Sequence, residues 1–431
     1  MRTGERPARA GVAAAVLLYV AGLAWLSLSR GGAPACVGSW LLESGSLSRA
    51  DLLVNVVAYV PLGALLAAGG EAGGRAHRRV LLAAAAGALL SLAIETIQVC
   101  LPARTSAWSD FVANASGAAI GAFFPGAVRR VQRTVEAGGV PGLPAGSTAP
   151  QPLLALALLT LLFWIGERSV PWGLTLDVDR LRANLAFLKP VLAGAPTLDP
   201  WRLASHVAGW LVFGLAIRAG LRPWAPVLRI TGLGACAVLL MQLLLVVPTL
   251  SLEQLAGLAI AAAGWVVLRL PGLAAWLPFA LGAAALAGVT LYELRPGAGE
   301  LARGFSWLPV FGAGSALGAL KLALYFFWVA LACALALSWR SAQRHARRGR
   351  RHARGAPDGQ GGTPVRAGGA VLAVAASSAW VALLEIAQLW IPGRSPDVSP
   401  PLLVAIGWMI ALAVQARVRA PAPPRASRPS P

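Results

Sequence analysis

Two stretches far apart in the chain carry the same polar signature. Glu95-Thr-Ile-Gln98-Val-Cys-Leu-Pro102-Ala-Arg104 recurs as Glu385-Ile-Ala-Gln388-Leu-Trp-Ile-Pro392-Gly-Arg394, with Glu, Gln, Pro and Arg at offsets of 0, 3, 7 and 9. Each stretch ends an apolar run. Four special residues at a fixed spacing in such a place indicate duplication. Glu95 and Gln98 are three residues apart, so a helix puts them on one face. An ionised carboxylate at hydrocarbon depth costs a few kcal/mol (about 2.5–3.5 on insertion scales), so it must face protein or water, pair with a cation, or be protonated. Arg104 is carried back toward Glu95 by the turn, and a guanidinium holds a carboxylate bidentately. The same group can instead hold the phosphate or carboxylate of a ligand. Asp51, Asn55, Asp110 and Asn114 come from the matching ends of neighbouring apolar runs and can converge on the same pocket. Two readings stay open. In one, Glu95 and Arg104 lock a hairpin while Asn55 and Asn114 are interhelical glue. In the other, Arg104 recognises an anionic group, with Glu95 and Asp110 positioning it or moving protons.

The elements that must position these residues are apolar helices. Of 431 residues, 57% are hydrophobic and only 13% charged, about half the charge of a soluble chain. Twelve spans are expected at 11–29, 51–68, 80–101, 108–128, 152–166, 203–221, 225–247, 251–270, 272–293, 314–338, 368–391 and 399–416. The first resembles a signal peptide, with Ala33-Pro34-Ala35 after it, but its length favours a retained anchor. The expected fold is all-α, a polytopic bundle of about twelve spans in three degenerate four-helix units: 11–128, 152–270 and 272–416. A cytoplasmic linker at 129–151, a basic loop at 339–367 and a tail at 417–431 join or follow them; 129–150 and 339–367 are Gly, Pro and Arg rich and are expected to be flexible. With the N-terminus inside, 25 of the 37 basic residues fall on the inner side, while the acids divide 4 inside and 13 outside. That asymmetry orients both ends to the cytoplasm.

Unit one resembles the VanZ-like family of bacterial membrane proteins. The resemblance is carried by Asp51, Asn55, Tyr59-Val-Pro61-Leu-Gly63, Glu95-x-x-Gln98, Pro102-x-Arg104, Asp110, Asn114, Gly117 and Gly121. Unit three keeps Glu385, Gln388, Arg394 and Asp397 but has Pro400 and Val404 in place of Asp110 and Asn114; unit two keeps Gln242 and has His206 for Asn55. The resemblance implies a multi-pass protein of the bacterial plasma membrane, in a family linked to reduced sensitivity to glycopeptides such as teicoplanin. It points to membrane lipids and lipid-linked cell-wall precursors as partners, met at the outer face. The alternatives are a twelve-span secondary transporter and an integral-membrane enzyme on a lipid-linked phosphate.

Other chemistry is weakly represented. Ser, His and Cys form no nucleophile-and-base pattern, and no phosphate-cradling glycine loop or metal-ligand spacing occurs, so no cofactor and no metal are expected. The net charge of +20 lies in short segments between apolar runs, which suits lipid headgroups rather than nucleic acid. Cys36 and Cys100 both fall near the outer face and can pair, but the expectation is that the four cysteines are small apolar fillers. Gly117 and Gly121 predict close helix packing, and Trp40, Trp108, Trp201, Trp307 and Trp390 predict interfacial anchoring.

Overall fold

The computed structural model describes residues 5–28, 36, 49–69, 76–101, 106–141, 143–169, 174–194, 197–221, 226–247, 249–267 and 367–408, with short pieces between 287 and 335. Among these residues the regular structure is helical, and strand-like pairing is confined to isolated bridges. The helices fall into two compact units.

The first unit holds α1 (Glu5–Leu28), α2 (Arg49–Gly69), α3 (Ala76–Gln98) and α4 (Trp108–Glu136). Each of the first four predicted runs is therefore a helix. α2 and α4 lie backbone to backbone, and glycine is the reason. A Cβ on Gly63 would strike the Ala118 carbonyl, one on Gly117 the Val56 carbonyl, and one on Gly121 the Val60 carbonyl. Backbone contact of this kind holds helices together where lipid leaves no hydrophobic drive between them. Leu23, Tyr59, Leu62 and Ala118 form the core beside it, and the Tyr19 hydroxyl ties α1 to α2 by donating to the Ala58 carbonyl at 2.8 Å.

Apolar surface faces outward from this bundle. α3 has a mean hydropathy of 2.1 with only 28% of its apolar window buried, and Leu81, Leu82 and Leu89 are exposed on it. Such a surface needs lipid to cover it. Among the described residues three helices are long and apolar enough to cross a membrane: His77–Gln98, Trp108–Glu136 and Pro200–Gly220. The runs expected at 272–293 and in the first part of 314–338 lie largely outside the described residues, as does the end of 399–416.

The second unit holds α5 (Gln151–Ser169), α6 (Val178–Asn184), α7 (Leu188–Leu192), α8 (Pro200–Gly220), α9 (Val227–Leu243) and α10 (Leu252–Val267). It also holds a helical piece at 327–335, the helix Ala367–Ala387 with a 3-10 turn to Trp390, and Ser399–Trp408. α8 is its central element: 61% of its apolar window is buried, against α5, α9 and α10. Asp199 caps it by accepting from the Trp201 and Arg202 amides, and Pro200 sits at its first position, where a missing N–H costs nothing. Close glycine contacts recur here, with Gly257 of α10 on His206 and Val207 of α8, and Gly407 on Ala330.

Two expectations are corrected, and one segment on which none was made proves structured. The segment 129–150 is not a flexible linker. α4 continues to Glu136, with Val128 and Val135 buried seven residues apart, and Ser147, Thr148 and Ala149 are buried too. The Ala149 amide donates to the Gly220 carbonyl at 2.9 Å, which the end of α8 leaves without a helical partner. The loop before α8 is also structured: α6 and α7 lie in it, and the Asn184 amide group donates to the Leu243 and Leu245 carbonyls at the end of α9, at 2.6 and 2.8 Å. Finally, Cys36 and Cys100 are not fillers but a disulfide, closing a loop of 64 residues onto the end of α3.

Candidate functional site

α3 ends in a turn after Gln98, and the chain returns as α4 at Trp108. Glu95 lies in the last turn of α3 and is 3% exposed. Its Oε2 accepts the Ala107 amide at 3.1 Å, and its own carbonyl accepts the Ser106 hydroxyl at 2.6 Å. Ala107 is the residue before α4, with extended backbone and no side-chain cap of its own. The first amides of a helix lack helical partners, and an anion near that end is favoured. Glu95 thus holds the entry to α4 from the preceding helix.

A second set of polar groups lies below it. Asn114 of α4 donates through Nδ2 to Ser91 Oγ of α3 at 2.9 Å, and Ser91 also shares a hydrogen bond with the Tyr59 hydroxyl of α2. Ser91 and Asn114 are buried, and Asn114 Oδ1 has no hydrogen-bond partner among the described residues. Three helices are thereby joined by one polar chain. Asp110, half-buried in the first turn of α4, lies within Coulombic reach of Glu95. Gln98 turns toward α1, donating through Nε2 to the Ser27 carbonyl at 3.0 Å.

Residues 16–128 match the VanZ/LLP1 family. No curated protein and no solved structure matches the chain. The VanZ-like segment runs from within α1 to near the end of α4, and so contains the whole of this polar set. This segment is therefore similar to the VanZ/LLP1 family, and the match, together with apolar helices long enough to cross a membrane, supports a membrane location.

The hairpin between Ala387 and Ser399, outside the VanZ-like segment, repeats the contact. Glu385 is buried, and its Oε2 accepts the Asp397 amide at 3.2 Å. The acceptor and donor are twelve residues apart, as Glu95 and Ala107 are. Asp397, which replaces Ala107, adds a carboxylate: its Oδ1 accepts the Ser399 amide at 2.6 Å and so caps the next helix directly. Gln388 is buried in the 3-10 turn, and Gly393 takes a φ of 70° at the tip. Arg394 is half-buried, and its Nε donates to the Arg295 carbonyl at 2.9 Å. Between α9 and α10 a buried pair does the corresponding work, with Gln254 donating through its side chain to Gln242.

The sequence-predicted residues therefore divide. Glu95 and Asp110 are brought within Coulombic reach, Asn114 bonds Ser91, and Glu385 and Asp397 are in contact. Gln98 faces α1, and Asn55 is a half-buried residue of α2. Asp51 lies in the first turn of α2, with its side chain outside the described residues, and Arg104 lies wholly outside them. Ser91 and Ser106 were missed. The available signals were modest: Ser91 stands one turn before Glu95 on the same face, and Ser106 stands just before a helix start. Trp108, Trp307 and Trp390 are exposed, as interfacial anchors would be.

Proposed function

We propose that this chain is a multi-pass protein of the bacterial plasma membrane that acts by binding, at the outer ends of its helices, the anionic headgroups of envelope lipids or lipid-linked wall precursors. Twelve spans in three four-helix units, with both termini cytoplasmic, complete the reading. The observation that carries it is the anchoring of the α3–α4 turn on both sides. Cys100 is tied to Cys36 before the turn, and Ala107 is tied to Glu95 after it. Arg104 falls between these two anchors in the sequence. A short segment pinned at both ends loses little entropy when its arginine engages an anion. Disulfides persist in oxidising compartments, so the Cys36–Cys100 pair supports an outward orientation for this end, in agreement with the arginine count. Glu95 and Glu385 spend their carboxylates on backbone amides, which favours a binding role over acid–base catalysis.

The test uses the full chain in nanodiscs, with undecaprenyl pyrophosphate as the probe. Arg104→Gln is expected to weaken binding about tenfold or more with an unchanged yield of folded protein. If Arg104→Gln and Arg394→Gln lower only the folded yield and leave binding intact, both arginines are structural and the proposal fails.

A further inference from the structure

The opposite end of the VanZ-like segment carries a second feature, independent of the outer-end reading. Where α3 begins and α4 approaches its end, a cleft of about 40 Å³ opens between the helices. Arg79 and Arg129 line it together with Ala67, Val80, Phe123 and Gly126. Both arginines are half-buried, Phe123 is 62% exposed, and a Cβ on Gly126 would meet nothing within 4 Å.

The volume and lining restrict the occupant. Enclosed pockets for small solutes run to several hundred Å³ (about 300–1,000), so this cleft can take only one small group of a larger molecule. Arg79 has a partner of its own, but a guanidinium carries five N–H donors, and those that remain on Arg79 and Arg129 match phosphate oxygens. The rest of the wall is apolar and continues into the exposed Phe123 ring. Around it Arg78, Arg130 and Arg133 are exposed, while Glu136, the acid at the end of α4, is engaged by Gln132. The cleft stands where two candidate spans pass from apolar to basic sequence, which is the depth of lipid headgroups.

We infer that this cleft binds the phosphate of an anionic membrane phospholipid between Arg79 and Arg129, with an acyl chain lying along Phe123. A lipid held here bridges the α3 and α4 ends and fixes the depth of the bundle in the bilayer.

The full-length protein is reconstituted in nanodiscs of mixed phosphatidylglycerol and phosphatidylcholine, extracted in mild detergent, and its bound lipid counted by native mass spectrometry. Wild type is expected to retain phosphatidylglycerol preferentially. Arg79→Gln/Arg129→Gln should lose that preference by about tenfold or more, while Arg78→Gln/Arg130→Gln, which removes the same charge from the exposed surface, should keep it. Gly126→Leu fills the cleft with all charges in place, and should lose the preference as well. Its open surroundings give it no clash, so it remains informative if the arginine variant fails to fold. Equal loss in both arginine pairs, full retention by Gly126→Leu, or displacement of the lipid by millimolar inorganic phosphate would overturn the inference. The first outcome means diffuse surface charge, the second a different locus, and the third a soluble-anion site.

Discussion

Replacing Glu95 separates the two roles that a buried carboxylate can have. If Glu95 serves chiefly to accept the Ala107 amide, its charge is dispensable and its acceptor is not. Glu95→Gln keeps an acceptor oxygen at the same reach and buries a neutral amide in place of an ion, which is the cheaper group to desolvate. It should unfold within about 0.5 kcal/mol of wild type. Glu95→Ala leaves the Ala107 amide, beside a residue only 3% exposed, without its acceptor at 3.1 Å. An unsatisfied donor of this kind costs about 1–3 kcal/mol. Glu95→Asp is one methylene shorter and should behave like Ala. The assay is chemical or thermal unfolding of the full protein in one detergent, followed by tryptophan fluorescence. The same order is expected at Glu385, whose acceptor contact with Asp397 is 3.2 Å. If Gln is as damaging as Ala at Glu95, the negative charge itself is required, an ion pair with a cation such as Arg104 becomes the dominant contact, and the capping argument is wrong.

Other consequences are direct. Gly63→Ala and Gly121→Ala place a Cβ on a facing carbonyl and should each destabilise the first unit by about 1–3 kcal/mol, whereas Gly126→Ala should be neutral or slightly stabilising in the same unfolding assay. Cys36→Ser opens a 64-residue loop, and the chain-entropy estimate puts the loss at up to about 4 kcal/mol. Reduction should both lower the unfolding midpoint and change mobility on a non-reducing gel. Asp199 loses some solvation, but its bonds from the Arg202 and Trp201 amides and the nearby Arg295, 2.8 Å away, outweigh that and hold its carboxyl below the usual carboxylate value. Its contribution is therefore present above the unfolded pKa and lost as pH falls through the lowered folded one. Asp199→Ala should accordingly unfold earlier than wild type at pH near 7, about the same at pH near 2, and a gap that persists unchanged in acid would refute the reasoning.

Much of the architecture was legible because apolar run length and helical period speak directly to lipid. The first four runs became α1 to α4, and Gly117 and Gly121 met α2 as their spacing implied. Asp199-Pro200 starts α8 three residues before the expected 203, with the Asp-Pro pair as the local signal. Composition misled at 129–150. Gly, Pro and Arg read as a flexible linker, yet two buried valines keep α4 going and the Gly220 carbonyl recruits Ala149. Nothing local announces that a carbonyl elsewhere needs a partner. Span topology put Cys36 and Cys100 near the same face and so allowed the pair, but pairing needs close Cα atoms, which distance in sequence does not reveal, and filler was the expectation. At the site, the duplicated signature located Glu95 and Glu385, but a glutamate followed by an arginine suggested an ion pair. Arg104 lies outside the described residues, so that pair is neither seen nor replaced; what the spacing did not announce is the backbone amide twelve residues on that donates to each carboxylate.

The proposed topology has the helices cross a bilayer with their Glu95 and Glu385 ends outside. Single cysteines at Thr134 and Ser395, both exposed, in a background with Cys236 and Cys333 changed to serine, report the two sides directly. A membrane-impermeant maleimide applied to intact cells should label Ser395→Cys at once and Thr134→Cys only after the cells are opened. Labelling of both positions from the same side would contradict it.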